Sequence, residues 1–338
     1  MSVRDVTVVL GDPSLPDRSK PGHRFNPEDL ECVARLKAAL AELADRRFTF
    51  LDRHDTLLAD LAARPPALVL NLCDTGFRNE ARFELHVPAL LEILGVPYTG
   101  ASPASMAVCY DKALVRDAAA RAGVAVPVET WVDPADPGAL PAAYPALIKP
   151  NLGDGSLGIT KDAVVHDEAA ARRYLAWLAV ELPGRAALMQ EYLSGPEYGL
   201  GVVGNPGAGF EILPPLEVDF GALPAGLPPI LGYESKSHPD SPYWTDVRFR
   251  PAALAAAARA RLGTQALALF GRLGLRDYAR FDFRADAAGT VKLLEVNPNP
   301  AWSWDGKLAI MIGFRGGAYA DLFRLILAAA ERRLERGG

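Results

Sequence analysis

Apolar positions in the first hundred residues fall in short unbroken runs separated by amphipathic stretches. "VTVVL" (6–10), "FTFLD" (48–52) and "ALVLNL" (67–72) read as strands, with an amphipathic helix over 27–45 and a shorter one over 55–63 between them. Unbroken apolar runs alternating with helical spacing predict a parallel sheet covered by crossover helices. Residues 83–94 read as the next helix, and "GVPYTG" as the edge strand and turn that follow.

After about residue 105 the pattern changes. A helix over 111–122 leads into "VAVPVETWV", then "PALIKP", a glycine-rich turn and a helix over 167–180. "AALMQEYLSGPEYGLGVVG" reads as strand, hinge and strand, whereas residues 205–245, rich in Pro and Gly, read as an excursion or mobile loop. Pro251 sits well at the first turn of a long Ala-rich helix running to about Arg272. "YARFDFRA" and "VKLLEVN" predict an antiparallel pair around "DAAG", and 319–335 a closing amphipathic helix.

Composition narrows the function more than the fold. The chain has 338 residues, half of them apolar, and a net charge of −5. Such a balance argues against nucleic acid as a partner, which normally needs a clustered basic surface. Cys32, Cys73 and Cys109 are odd in number and widely spaced, so neither a disulfide framework nor a zinc site is expected. The apolar run between Asp5 and Asp12 is too short for a signal-peptide core, and no run reaches membrane-spanning length. A cytoplasmic protein without a membrane partner is expected.

Two groups of residues carry chemistry. In "LIKPNLGDGSLGI" a strand ends at Lys149 and a loop with Gly153, Gly155 and Gly158 follows. Glycines let backbone approach a phosphate and the lysine supplies charge, although a glycine-rich turn after a strand is common and the order is not that of a P-loop. Lys112 upstream and Lys236 downstream change the picture, because lysines from separate elements could converge on a triphosphate. The second group is Asp282 in "RFDF" with Glu295 and Asn297 in "LLEVNPNP". Glu295 and Asn297 point the same way at period two, and the paired strand brings Asp282 near. Such oxygens suit Mg²⁺ beside phosphates. Arg280 shares the face of Asp282 and could stabilise charge on a transferred phosphoryl group or tetrahedral centre; a strand-end salt bridge to Glu295 is the alternative.

In order, "LEILGVPYTGAS", "YDK", "LIKPNLGDGSLG", "QEYLSGPEY", "YESK", "RFDF" and "LLEVNPNP" resemble the ATP-grasp superfamily, and within it the D-alanine-D-alanine ligase family. The resemblance implies an α/β ATP-grasp fold: an N-terminal parallel-sheet domain (1–104), a central ATP-binding subdomain (105–189) and a C-terminal catalytic subdomain (190–338). It implies that Lys112 and Lys149 contact the α- and β-phosphates and Lys236 the γ-phosphate, with the loop of Gly155 and Ser156 closing over them. Gln190, Glu191 and the backbone near Leu193 would meet the adenine, and Glu197 the ribose. Asp282, Glu295 and Asn297 would hold a pair of Mg²⁺ ions, with Mn²⁺ able to stand in. Arg280 and Lys236 would be catalytic, and a homodimer is suggested by the resemblance alone.

The chain also departs from that family. Cys73 stands where a histidine is expected, and "GDPSLPDRSK" replaces the turn that carries the glutamate for the first substrate's ammonium; Asp17 or Asp12 is the substitute. Glu80 opens a helix at the sheet edge favoured for ligands and is a candidate substrate contact. Gly306 and Lys307 replace a serine and an apolar residue at the acceptor end and are candidate substrate contacts, Lys307 either binding a carboxylate or lying solvated. Trp302 and Trp304 either wall a larger pocket or pack as core. Gly155 and Ser237 occupy the positions of the family's loop-linking serine and tyrosine, with Ser156 adjacent. The expected activity is an ATP- and Mg²⁺-dependent joining of amino acids, or of an amino acid and an amine, through an acyl phosphate. The alternatives are D-alanyl-D-alanine synthesis itself, a nucleotide-binding regulator, and a small-molecule kinase.

Overall fold

The structure is a computed structural model that describes residues 3–18, 20–153 and 155–337. The chain begins with β1 (Asp5–Val9), α1 (Pro27–Ala41), β2 (Arg47–Leu51), α2 (Leu57–Ala63), β3 (Val69–Asn71) and α3 (His86–Ile93). The strands lie in the order β2-β1-β3, all parallel. Val6, Val8, Leu68 and Leu70 join Leu36 and Leu40 in one buried cluster, while Val9 and Val69 join Leu57, Leu61, Val87 and Leu91 in another. Both faces are therefore covered, which is why these strands read as unbroken apolar runs. The expected helix over 83–94 starts only at His86, after two short 3-10 turns. The expected edge strand "GVPYTG" reduces to a single parallel bridge between Val69 and Tyr98.

Next come α4 (Pro103–Tyr110), α5 (Lys112–Arg121), β4 (Glu129–Val132), β5 (Ala146–Pro150), β6 (Val164–Val165), α6 (Glu168–Glu181) and β7 (Ala187–Glu191). The strands form an antiparallel sheet in the order β4-β7-β5-β6. Strand alternation gives it two unlike faces. Ala146, Ile148, Ala187 and Met189 pack with Tyr174, Leu175 and Leu178 of α6. The opposite face carries Leu147, Lys149 and Gln190, with Glu129 directly across from Gln190.

The remainder runs β8 (Glu197–Asn205), β9 (Gly209–Ile212), β10 (Leu216–Asp219), α7 (Glu234–Ser237), α8 (Pro242–Thr245), β11 (Arg248–Pro251), α9 (Ala256–Arg272), β12 (Tyr278–Ala285), β13 (Val291–Asn297), α10 (Lys307–Phe314) and α11 (Tyr319–Glu335). An antiparallel sheet has the order β11-β10-β8-β12-β13, with β9 also on β8. Leu200, Val202, Phe281 and Phe283 pack with Leu262, Ala266 and Phe270 of α9. Glu197, Gly199, Gly201, Arg280 and Asp282 alternate onto the other face. Glycine at 201 is required there, since a Cβ would sit 2.7 Å from Leu308 and 2.9 Å from Leu213. Two expectations are corrected. The supposed loop over 205–245 contains β9, β10, α7 and α8, and Pro251 ends a strand instead of opening α9. Among the described residues, no helix is long and apolar enough to cross a membrane.

Candidate active site between two antiparallel sheets

The acidic centre is built by β12 and β13. Asp282 pairs with Glu295 and Arg280 with Asn297, but Phe283 pairs with Leu293, so Leu294 is an extra residue in the ladder. This bulge matters. Strict alternation from buried Leu293 would send Glu295 into the core; the extra residue reverses the phase, buries Val296 and turns Glu295 and Asn297 to the cleft. The Leu293-Leu294 doublet was the only trace of it in the sequence.

Arg280 grips Asp282, not Glu295: Nε donates to Oδ1 at 2.9 Å and an NH₂ group to Oδ2 at 2.9 Å. Asn297 Nδ2 donates to the same Oδ2 at 3.3 Å, and Lys307 Nζ lies 3.5 Å from it. Burial alone would raise the pKa of Asp282, but the Arg280, Lys307 and Lys236 charges win and hold it down at about 2. Glu295 is also lowered, burial being outweighed chiefly by Lys112, whose Nζ is 3.8 Å away.

The lysines arrive from separate elements. Lys112 opens α5 behind the cap Asp111, its backbone N–H donates to Asn151 at 3.2 Å, and its ammonium donates to the Gly153 carbonyl. Lys149 is only 4% exposed; burial, then the neighbouring Lys112 charge, brings it down to about 8. Lys236, exposed on α7, acts electrostatically on both Asp282 and Glu295. The charges of the three expected lysines thus reach Glu295, and that of Lys236 also reaches Asp282.

Two loops cover this group. Ser156 Oγ donates to the Leu231 carbonyl at 3.0 Å, Tyr233 N–H to Ile159 at 2.7 Å, and Lys161 N–H to Glu234 at 2.9 Å. The loops are therefore tied by Ser156 and backbone, with Gly155 beside it at φ +66°; the Ser237 side chain lies outside the described residues. A cavity of about 20 Å³ remains among Lys112, Gly153, Ser156, Leu157, Ile159 and Glu295.

At the hinge end, Gln190 Nε2 donates to Glu129 at 2.8 Å, while its Oε1 is buried without a hydrogen-bond partner. Glu191 points elsewhere, accepting from Val128 N–H at 2.8 Å and Lys292 at 2.6 Å. Leu193 is buried, and Glu197 faces Arg284 at 3.3 Å.

The expected substrate residues are more scattered. Asp12 accepts from Ser14 and from His54 N–H, so its carboxylate holds a turn. Asp17 is buried in the same loop, Cys73 is buried with its thiol pushed up by desolvation, and Glu80 lies 4.0 Å from Arg82. Gly306 caps α10, and Lys307 turns toward Asp282. Trp302 donates to the Leu72 carbonyl at 2.8 Å, whereas Trp304 is 41% exposed under Arg35. Sequence reasoning missed Asn299. Its Nδ2 donates to buried Glu84 at 2.6 Å and its Oδ1 accepts from Tyr278 at 2.7 Å, anchoring the exit of β13; the repeated Asn-Pro was its trace.

The donor set fits a hard divalent cation. Asp282, Glu295 and Asn297 offer carboxylate and amide oxygens, the chemistry Mg²⁺ prefers when phosphates complete its shell. Among the described residues no group of three or more His, Cys, Asp or Glu forms a metal cage.

Known proteins are similar to this chain. The family model described as "D-ala D-ala ligase C-terminus" matches residues 139–328. The protein y4sG of Sinorhizobium fredii is 31% identical over 278 residues, covering 81% of this chain and 77% of its own. A D-alanine-D-alanine ligase of Oleidesulfovibrio alaskensis is 34% identical over 259 residues, covering 74% and 77%. The ATP-complexed crystal structure of the Bacillus anthracis D-alanine-D-alanine ligase superposes with a TM-score of 0.72 at 18% identity, over 99% of this chain and 100% of that one. By family model, sequence and fold, the chain belongs to the D-alanine-D-alanine ligase family of ATP-dependent ligases.

Proposed function

We propose that the chain forms an amide bond between two amino acids, or an amino acid and an amine, using ATP and Mg²⁺, and that its substrates differ from a pair of D-alanines. The observation that carries the first half is the meeting of Lys112, Lys149 and Lys236 with Asp282, Glu295 and Asn297 between two facing sheets. Residues 1–104, 105–189 and 190–338 are read as three units that close on that centre.

In this reading Lys112 and Lys149 hold the α- and β-phosphates, and Lys236 the γ-phosphate. Gln190 Oε1, a buried acceptor without a partner, suits the adenine amine. Glu197 is assigned the ribose. Held by Glu295 and Asn297 beside Asp282, Mg²⁺ would neutralise the phosphates. A donor carboxylate oxygen attacks the γ-phosphorus, the bond to the β,γ-bridging oxygen breaks, and ADP leaves with that electron pair. The free amine then attacks the acyl carbon and gives up a proton to solvent, the carbon–oxygen bond to phosphate breaks with its electron pair going to oxygen, and inorganic phosphate leaves. Arg280 faces the charge that develops, and the Ser156-tied loops exclude water from the acyl phosphate.

The second half rests on the departures. Buried Cys73 cannot offer the cationic contact of a histidine, and Asp12 is committed to its turn. Asp17, Glu80 and Gly306 remain the candidate contacts with substrate. Phosphate release should be measured across single and paired D- and L-amino acids, with product masses read in parallel. Turnover with a pair other than D-alanine supports the reading, and a D-alanine dipeptide from D-alanine alone defeats its second half. Asn297→Ala should remove at least about 100-fold of that activity with an unchanged circular-dichroism spectrum.

A further inference from the structure

We propose that Lys307 is a resident cation of this site: its ammonium takes the place beside Asp282 of one of the paired metal ions, so the chain binds a single divalent ion with each nucleotide. This inference rests on the nucleotide reading above.

Lys307 is an unusual head for its helix. The residues after it, Leu308, Ala309, Met311 and Ile312, are buried, and a cation in a first turn opposes the helix dipole. Such a lysine would ordinarily carry its ammonium to water. Here the side chain is only 14% exposed and Nζ lies 3.5 Å from Asp282 Oδ2. The Lys307 stem passes beside Gly199, where a Cβ would make ordinary contact with Lys307 Cδ at 3.8 Å and crowd only Met311 Cε, at 3.1 Å.

The charge around Asp282 is already answered. Oδ2 receives Arg280 at 2.9 Å and Asn297 at 3.3 Å besides Lys307, and Oδ1 receives Arg280 at 2.9 Å. Glu295 is different, because Lys112 stands 3.8 Å from its Oε2, beyond hydrogen-bond reach. Asn297 turns its amide nitrogen to Asp282 and so keeps its oxygen for another partner. One hard ion fits the side of Glu295 and Asn297. A second, placed against Asp282, would meet an ammonium at close range and a carboxylate shared with two cations.

Mn²⁺ bound per chain should be counted by electron paramagnetic resonance with a saturating non-hydrolysable ATP analogue. Wild type and Lys307→Arg should each bind one ion, and Lys307→Met two. Lys307→Gln serves as a second neutral variant should the methionine protein fail to fold. Two ions in wild type, or one in every variant, would overturn the assignment to Lys307. Absence of any Mn²⁺ and analogue bound to folded wild type would instead overturn the nucleotide reading beneath it.

Discussion

Lys149 shows how one residue sets function against stability. It is buried, and desolvation with the nearby Lys112 charge lowers its pKa from 10.5 to about 8. The unfolded chain thus holds this proton where the folded one releases it, and between pH 8 and 10.5 the group makes stability rise with pH. Below that window both states are protonated and the folded state carries the full burden of a buried charge. Lys149→Met should therefore raise stability at pH 7 by about 1–3 kcal/mol, a gain that shrinks as pH rises through the window, while nucleotide affinity falls. Urea titrations at pH 7 and pH 10 read the first effect and calorimetry the second. Equal stability at both pH values would contradict the assigned burial. Lys149 was legible in the sequence only in company: a glycine-rich turn after a strand is common, and Lys112 and Lys236 on other elements gave it weight. Its convergence with Lys112 was raised by lysines lying on separate elements, while their roles at the α- and β-phosphates came only from the family order of motifs, since they are separated by a helix and a strand.

At the scale of elements, one of the ties that hold α11 is a buried ion pair. Arg333 donates to fully buried Asp277 at 3.0 Å and 2.8 Å, and Asp277 also accepts from Gly100 N–H and Asn205 at 2.9 Å each. Arg333→Ala strands part of that charge and should cost about 3–5 kcal/mol in urea unfolding. Arg324→Ala on the same helix, from a pair more than half exposed on the arginine side, should cost less than about 0.5 kcal/mol. Equal losses would refute the distinction.

The boundaries of α11 and of the β12-β13 hairpin were readable because both are long and strongly periodic. Pro251 misled because proline suits a helix start, but it also suits an edge strand, where β11 lies and where a missing N–H disturbs no ladder. β9 and β10 escaped because each is four residues long among Pro and Gly, and their pairing with β8 is set by tertiary contact. The bulge at Leu294 escaped for a related reason: period two is a local rule, and the core on α9 decides where it is broken.

At the scale of the whole molecule, the first and last parts of the chain are joined on several sides of the cleft. Glu331 holds Arg46 at 3.1 Å and Val3 N–H at 2.7 Å, Trp302 reaches Leu72, and Asn299 reaches Glu84. The covering loops have lighter ties, Ser156 to Leu231 among them. They are the parts expected to move for substrate entry. Ser156 has φ +61°, so glycine removes its hydroxyl without strain. Ser156→Gly should loosen the cover and admit water, raising phosphate released per amide formed by roughly threefold or more. An unchanged ratio would show that the tie does not guard the intermediate.

The central claim is that a carboxylate oxygen of the donor attacks the γ-phosphate in this cleft. Its most direct test is turnover of the donor with both carboxylate oxygens labelled with ¹⁸O, followed by mass analysis of the phosphate, nucleotide and product. The account predicts one ¹⁸O in each inorganic phosphate, one in the amide carbonyl and none in the nucleotide. Label in AMP, or a phosphorylated product that keeps both labels with no amide formed, would contradict it.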